Sequence, residues 1–166
     1  MKIILLFASI LLMSECAQAA SPVSPAESSR LGFDTISLWR SACKGTGPVY
    51  SLQIRADGNA VFTGKEHVKT KGRHDGKTSP SALALLSSAL REVKLEHMRD
   101  RYLTEEDGCG PLPTDHPSLG ISVKQGDSTK TVTYYTGCRG PTVPSTALFW
   151  LAGTIDFLGN TSDLIQ

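Results

Sequence analysis

The stretch that decides the fold runs from Ile36 to Gly72 and reads ISLWRSACKGTGPVYSLQIRADGNAVFTGKEHVKTKG. Apolar and polar side chains alternate through most of it, which is the pattern of strands with one buried face. Turn residues interrupt the alternation at Cys43–Pro48 and at Asp57–Gly58, and Asp-Gly favours a hairpin because glycine accepts a positive φ. We therefore predict that this stretch forms the antiparallel half of a small sheet.

Four strands are expected in this half, over Phe33–Arg40, Val49–Arg55, Ala60–Gly64 and Glu66–Gly72. The fourth would place four basic side chains on one face: His67, Lys69, Lys71 and Arg73. Such a stripe could bind an anionic surface or a glycan. It is also typical of an edge strand that lysines protect from pairing with another chain, and we favour that second interpretation.

The second half predicts two main helices and two more strands. Ser79 and Pro80 can cap and open a helix that continues to Val93, and a short second helical piece is expected before Leu103. A loop over Thr104–Pro117 precedes strands at Ser118–Lys124 and Thr129–Tyr135 and a helix over 145–159. The expected fold is α+β, with a five- or six-stranded antiparallel sheet in the order ββββαββα and both helices on one face.

The N-terminus has the features of an export signal. Lys2 precedes an apolar run over 3–13, and Ala17-Gln-Ala19 is a small-x-small cleavage signature, so we predict cleavage between Ala19 and Ala20. The apolar run is too short to span a bilayer, which needs ~20 residues. Cys16 raises the alternative of a lipid anchor, but the charged Glu15 before it is poorly suited to that processing.

We therefore expect a protein that is exported to the periplasm or secreted. The predicted organisation is a signal peptide over 1–19, a flexible Ser/Pro/Ala-rich leader over 20–32, one domain over 33–160 and a short tail over 161–166. The formal net charge of +1 gives no reason to expect a nucleic-acid partner, and no transmembrane segment is expected after signal removal.

Three cysteines remain after export, namely Cys43, Cys109 and Cys138, and they allow three pairings. Cys109 and Cys138 lie in Gly-Pro turns that flank the last strand pair, so we predict a disulfide between them. Closing that loop contributes about 3–4 kcal/mol in the chain-entropy model. Cys43 could be a small buried residue, a reactive thiol or half of a missing pair, and we favour the buried residue.

No spacing in the chain predicts a metal site, a cofactor site or a catalytic set. The four histidines are scattered, and only Cys109, Asp115 and His116 could be assembled into a ligand set, with unspecific spacing. Gly45-Thr-Gly47 precedes a strand, whereas a phosphate loop opens a helix. The residues worth testing as a functional loop are Cys43, Tyr50, Asp115 and His116.

The chain resembles a bacterial domain-of-unknown-function family, the one numbered 6438. The likeness covers about residues 34–158 and rests on short motifs: Ile36-Ser-Leu-Trp-Arg40, Cys43-Lys-Gly-Thr-Gly-Pro-Val-Tyr50, Asp57-Gly58, Val68 to Gly72, the helix over 79–93, Thr114-Asp-His-Pro117 and Ile155-Asp156. Gly47 stands where the family's second loop cysteine is expected, which removes the partner that Cys43 would have had. The resemblance implies fold and export, and it implies no activity.

Two function classes follow from these observations. A non-catalytic periplasmic or extracellular binding module is favoured, with an envelope protein or a glycan as the partner class. The alternative is a small thiol- or carboxylate-dependent enzyme that uses the loops around Cys43 and Asp115. The enzyme requires a cleft in which Cys43 or Asp115 meets a histidine within hydrogen-bond reach.

Overall fold

The computed structural model describes residues 24–166. The predicted signal peptide and Cys16 lie outside the described residues. The strands are β1 (Thr35–Arg40), β2 (Val49–Arg55), β3 (Asn59–Glu66), β4 (Gly72–Lys77), β5 (Arg101–Tyr102), β6 (Ser118–Gln125) and β7 (Ser128–Tyr135). The helices are α1 (Pro25–Leu31), α2 (Pro80–Val93), α3 (Ser145–Leu158) and α4 (Ser162–Ile165).

The strands form one seven-stranded sheet in the spatial order β4-β3-β2-β1-β6-β7-β5. All neighbours are antiparallel except β5, which is parallel to β7. The fold is α+β as predicted, with two main helices, α2 and α3, and the order ββββαβββα. The expected count of five or six strands is wrong because β5 is an additional strand.

Strand β5 replaces most of the second helical piece that the sequence predicted. Only Leu95–His97 forms a short 3₁₀ turn, and the chain then extends so that Tyr102 is buried beside Tyr134 of β7. The main-chain N–H of Thr133 donates to the carbonyl of Asp100 at 2.9 Å, which fixes this pairing. The apolar residues of this segment lack helical spacing because they fill the edge of the sheet.

The fourth strand lies later in the chain than predicted. Residues 67–71 form a turn, in which His67 has φ +50° and the N–H of Thr70 donates to the carbonyl of Leu164 at 3.0 Å. Strand β4 then runs from Gly72 to Lys77 at the edge of the sheet. The basic residues Lys69 and Lys71 therefore belong to the turn rather than to a stripe on the strand.

The core lies between the sheet and the pair α2 and α3. β1, β2 and β3 bury alternate residues, as the sequence pattern predicts, and α2 and α3 pack against each other over the buried side chains. The largest fully buried residues include Phe33, Ile36, Leu38, Leu52, Ile54, Phe62, Leu86, Leu119, Ile121, Tyr134, Leu148 and Leu151. The predicted cap of α2 is present, since the Ser79 hydroxyl accepts from the N–H of Ala82 at 3.2 Å.

Two short helices, α1 and α4, lie where the sequence suggested part of a flexible leader and a tail. Helix α1 buries Leu31, whose carbonyl accepts a hydrogen bond from the hydroxyl of Ser87 in α2 at 2.6 Å. Helix α4 follows the buried Thr161 and accepts the hydrogen bonds of the turn before β4. A single buried leucine and a few helix-capping residues are weak sequence signals, so the sequence did not predict helices in these two segments.

The predicted disulfide between Cys109 and Cys138 is present, with a Cα–Cα distance of 4.9 Å. It joins the loop before β6 to the turn after β7, and the N–H of Gly110 donates to the carbonyl of Arg139 beside it. Both cysteines are buried. The disulfide therefore anchors the long loop to the sheet.

A carboxylate fixes the start of the same loop. Asp107 accepts hydrogen bonds from the main-chain N–H groups of Leu103 and Thr104, at 3.0 and 3.1 Å, and from Arg101 at 2.9 Å. Donation by the Leu103 N–H, together with the Arg101 guanidinium, lowers the pKa of the Asp107 carboxyl below its usual value. The ionised carboxylate therefore stabilises the start of this loop by accepting these hydrogen bonds.

Among residues 24–166, no helix combines the length and the apolar character that crossing a bilayer requires.

Candidate functional site

Four strand ends meet at one end of the sheet. Arg40 at the end of β1 pairs with Tyr50 near the start of β2 and with Leu119 near the start of β6, and Ser118 pairs with Tyr135 at the end of β7. A cavity of about 290 Å³ lies there, which we call the Cys43 pocket. It is lined by Arg40, Ser41, Cys43, Thr46, Gly47, Pro48, Pro117, Ser118, Leu119 and Thr136.

A partly buried cluster of three polar side chains lies beside this pocket. The Arg40 guanidinium contacts Oδ2 of Asp156 through Nε at 3.0 Å and Nη2 at 2.8 Å. The Tyr50 hydroxyl donates to Oδ1 of the same carboxylate at 2.7 Å. Asp156 therefore ties α3 to both β1 and β2, and it holds Arg40 at the wall of the pocket.

The cluster determines the protonation of its members. Burial, and then the negative charge of Asp156, raise the pKa of Tyr50 far above its usual value. Burial alone would lower the pKa of Arg40, but Asp156 and Tyr50 outweigh it and raise the value. At neutral pH the phenol keeps its proton and the guanidinium its charge, so Tyr50 donates a hydrogen bond and does not act as a base.

Sequence analysis placed Tyr50 among the candidates but did not name Arg40 and Asp156 as site residues. A signal for Asp156 existed, since it is the one charged residue in the apolar helix STALFWLAGTIDFL, and a lone carboxylate there needs a partner. All three residues also belong to motifs on which the family resemblance rests. The structure adds that these separate motifs meet in one hydrogen-bonded unit.

Cys43 begins a tight turn between β1 and β2. The main chains of Cys43 and Thr46 exchange hydrogen bonds at 2.8 and 2.7 Å, and the two residues between them, Lys44 and Gly45, both have positive φ. This is the geometry of a two-residue type I′ turn. Cys43 is free and partly exposed, so its interpretation as a buried residue is wrong.

The loop around Asp115 closes over this turn. The Cys43 thiol donates to the main-chain carbonyl of Asp115, and the Asp115 carboxylate forms an ion pair with Lys44. The hydroxyl of Thr114 donates to the same carboxylate at 3.0 Å. Two of the predicted loop residues, Cys43 and Asp115, are therefore in contact with each other, whereas the enzyme hypothesis required one of them to meet a histidine.

His116 faces a different neighbour. Its main-chain N–H donates to the Tyr135 hydroxyl at 3.1 Å, and its ring meets the Tyr135 ring edge-on at a centroid distance of 6.1 Å. The Tyr135 hydroxyl in turn donates to the carbonyl of Pro113 at 2.6 Å. His116 thus packs on β7 and takes no part in the Cys43 contact.

Gly47 has φ +90°, a backbone conformation that strains any residue with a side chain. The second loop cysteine that the resemblance suggested is absent from this chain. In addition, the backbone at Gly47 has a conformation that favours glycine over cysteine.

The enzyme hypothesis requires a histidine within hydrogen-bond reach of Cys43 or Asp115. Within residues 24–166, neither Cys43 nor the Asp115 carboxylate forms a hydrogen bond with a histidine. The same part of the chain contains no group of three or more His, Cys, Asp or Glu side chains arranged to hold a metal ion. Nucleophilic use of the thiol needs a base within reach, and here the thiol donates to a carbonyl.

A second surface feature lies on the helices. A cavity of about 540 Å³, which we call the α2–α3 groove, is lined by Leu85, Ser88, Ala89, Glu92, Phe149, Trp150, Gly153, Thr154, Phe157 and Leu158. The exposed fractions are 83% for Phe157, 58% for Leu85, 46% for Trp150 and 40% for Phe149. Helix α3 is apolar on nearly all sides although one side faces solvent.

Comparison with known proteins identifies a family and gives no activity. No curated protein matches the chain. A family model described as Domain of unknown function (DUF6438) matches residues 34–156, which include β1 to β7 and the Arg40–Tyr50–Asp156 cluster. Because that match covers well over half of the chain, the protein belongs to the DUF6438 family.

Proposed function

We propose that the protein is an exported, non-catalytic interaction module that binds the apolar face of an amphipathic helix of a protein partner in the α2–α3 groove. One observation carries the proposal. Among residues 24–166 there are five exposed large hydrophobic side chains, and four of them line this groove. Contiguous exposed apolar surface of this kind is typical of an interaction site.

The shape of the groove favours a helix as the bound element. Its two walls are the packed helices α2 and α3, and small residues lie along it: Ala89, Ser88 and Gly153. Small side chains let the backbone of a third helix approach closely, and the large flanking side chains can then contact its apolar face. Phe157 is the natural anchor, since its ring is the most exposed of the set.

The lining favours a protein over a glycan. The polar groups of the lining side chains are those of Ser88, Glu92 and Thr154 and the indole N–H of Trp150, and the Thr154 hydroxyl already donates to the carbonyl of Trp150 at 2.9 Å. Sugar recognition requires several directed hydrogen bonds beside the stacking aromatic ring. Catalysis is disfavoured by the contacts of Cys43 and Asp115 described above.

Site-specific photo-crosslinking in an exporting bacterium tests the proposal. A benzoylphenylalanine at position 157 should give one discrete protein adduct, and the same probe at the exposed position 106 serves as the control. The cross-linked partner peptide should map to an amphipathic helix, and Leu85→Asp should reduce the adduct strongly. Equal adducts at both positions, a self-adduct or an adduct to polysaccharide would each contradict the proposal.

A further inference from the structure

Strand β4 is an uncovered edge of the sheet. It is the first strand in the spatial order, and all six of its residues are exposed. Its inner side pairs with β3 from Asn59↔Lys77 to Gly64↔Gly72. In the described part of the chain no further strand pairs with its outer side, so that side presents main-chain donors and acceptors to solvent.

The register shows which groups face outward. The N–H of Thr78 donates to the carbonyl of Gly58 at 2.8 Å, and this pair continues the β3–β4 register by one step. Hydrogen-bonded and non-hydrogen-bonded pairs alternate along an antiparallel ladder. The main chains of residues 72, 74 and 76 therefore bond to β3, whereas those of Arg73, Asp75 and Lys77 point to the free edge.

A small pocket lies beside this edge on the helix-covered side of the sheet. Its volume is about 240 Å³, and it is lined by Leu52, Ala60, Phe62, His74, Gly76, Lys77, Gly159, Asn160, Asp163 and Leu164. Gly76 has no side chain to close the pocket, and a Cβ built there would meet nothing within 4 Å. A strand added to β4 could place one apolar side chain in this pocket.

The charges around the edge are mainly positive. Lys65, Lys69 and Lys71 lie near the Gly72 end of β4, and within the described residues none of them forms an ion pair. Arg73 is paired with Asp75 at 2.5 Å along the strand. A second copy of this chain would bring like charges together at the edge, whereas an acidic segment would meet opposite ones.

From these observations we propose that the free edge of β4 binds an extended acidic peptide by strand addition. The peptide main chain pairs with residues 73, 75 and 77, one apolar side chain enters the pocket beside Gly76, and carboxylates face the lysines. Recognition of this kind combines main-chain hydrogen bonds for affinity with a side-chain pocket for specificity. This site is separate from the α2–α3 groove and does not depend on it.

Amide hydrogen exchange of the mature protein, measured residue by residue by NMR, tests the proposal. The probe is an acetylated, amidated peptide of alternating glutamate and valine, seven residues long. When the peptide concentration is about ten times its Kd, the peptide leaves the β4 edge unoccupied about one tenth of the time. The amides of Arg73, Asp75 and Lys77 should then exchange about tenfold more slowly. The amides of 72, 74 and 76 are already bonded to β3 and should change little.

Two control probes separate strand addition from charge attraction. A peptide with N-methyl groups on the edge-facing residues keeps its charge but cannot pair, and it should give no slowing. A lysine–valine peptide can pair but has the wrong charge, and it should bind more weakly.

Variants of the protein test the same binding from the side of the β4 edge. Asp75→Pro removes the central outward N–H at a position where an edge strand tolerates proline, and it should abolish binding. Lys71→Glu should weaken binding about threefold, the size expected of one exposed ion pair, while Lys124→Glu on the far side of the sheet should not.

Unchanged exchange at millimolar probe overturns the proposal. So does equal slowing with the N-methylated probe, because pairing would then not be involved. Slowing that depends on protein concentration without any probe would assign the edge to a second copy and would also overturn it. Lys71→Glu keeps the test decisive if Asp75→Pro fails to fold.

Discussion

Asp156→Asn should destabilise the protein by removing the charge on which Arg40 and Tyr50 converge. The carboxylate accepts two contacts from Arg40, at 3.0 and 2.8 Å, and one from Tyr50 at 2.7 Å. Hydrogen bonds to charged groups contribute about 1.5–3 kcal/mol each when well shielded. The side chains of Arg40 and Asp156 remain 25% and 18% exposed, so we take the low end of that range for each.

The amide that replaces the carboxylate keeps one acceptor oxygen and replaces the other with an NH2 donor, so Arg40 and Tyr50 can no longer both donate to it. We therefore expect the free energy of unfolding to fall by about 2 kcal/mol, a large part of the ~5–15 kcal/mol typical of a domain. Urea denaturation followed by tryptophan fluorescence should show a midpoint about 1 M lower with an unchanged slope. Asp163→Asn is the matched control, since Asp163 is exposed, and its effect should stay below about 0.5 kcal/mol.

A double-mutant cycle extends this test to the cluster as a unit. Tyr50→Phe removes one donor and should cost about 1 kcal/mol, and the double variant with Asp156→Asn should cost less than the sum. The reasoning would be refuted if Asp156→Asn behaved like Asp163→Asn. Strict additivity of the two changes would show that the three residues do not act together.

Four further outcomes are expected. Replacing Cys109 and Cys138 by alanine opens a loop with a sequence separation of 29 and should lower the free energy of unfolding by about 3–4 kcal/mol, measured by urea denaturation against the parent with its disulfide intact. Because the pKa of Asp107 is lowered in the folded state, its stabilisation is present above about pH 4 and is lost as the pH falls through the folded-state value, so Asp107→Asn should flatten the loss of stability below pH 4. Alkylation without reduction, followed by peptide mass mapping, should label Cys43 and leave the disulfide cysteines unmodified, and a linked peptide containing Cys43 would contradict the assignment. N-terminal sequencing of exported protein should begin at Ala20, and a mature form that retains the initiating methionine would contradict the export signal.

The sequence by itself determined the features that depend on neighbouring residues. The alternation of apolar and polar residues placed Leu38 and Leu52 in the core. Asp57 and Gly58 predicted the β2–β3 turn, and Ser79 predicted the cap of α2. Each of these follows from the side chains of a few adjacent positions and from the periodicity of the backbone. The same local reasoning placed two cysteines in turns that flank one strand pair.

The features that the sequence missed depend on contacts between distant segments. Strand β5 is two residues long and exists because its residues pair with β7. Strand β4 begins at Gly72 because the turn before it is held by α4, about 95 residues later. Helix α1 has one buried leucine, Leu31. The hydrogen bond from Ser87 of α2 to the Leu31 carbonyl cannot be predicted from the seven residues of α1 alone.

The candidate site divides in the same way. The sequence singled out the loops around Cys43 and Asp115, but only the tertiary structure shows that the thiol of Cys43 faces the carbonyl oxygen of Asp115. Arg40 and Asp156 are separated by 116 positions, and only the packing of α3 on the sheet brings the two charges together. Local sequence fixes backbone conformation over a few residues, whereas pairing of charges over such separations is set by the tertiary fold.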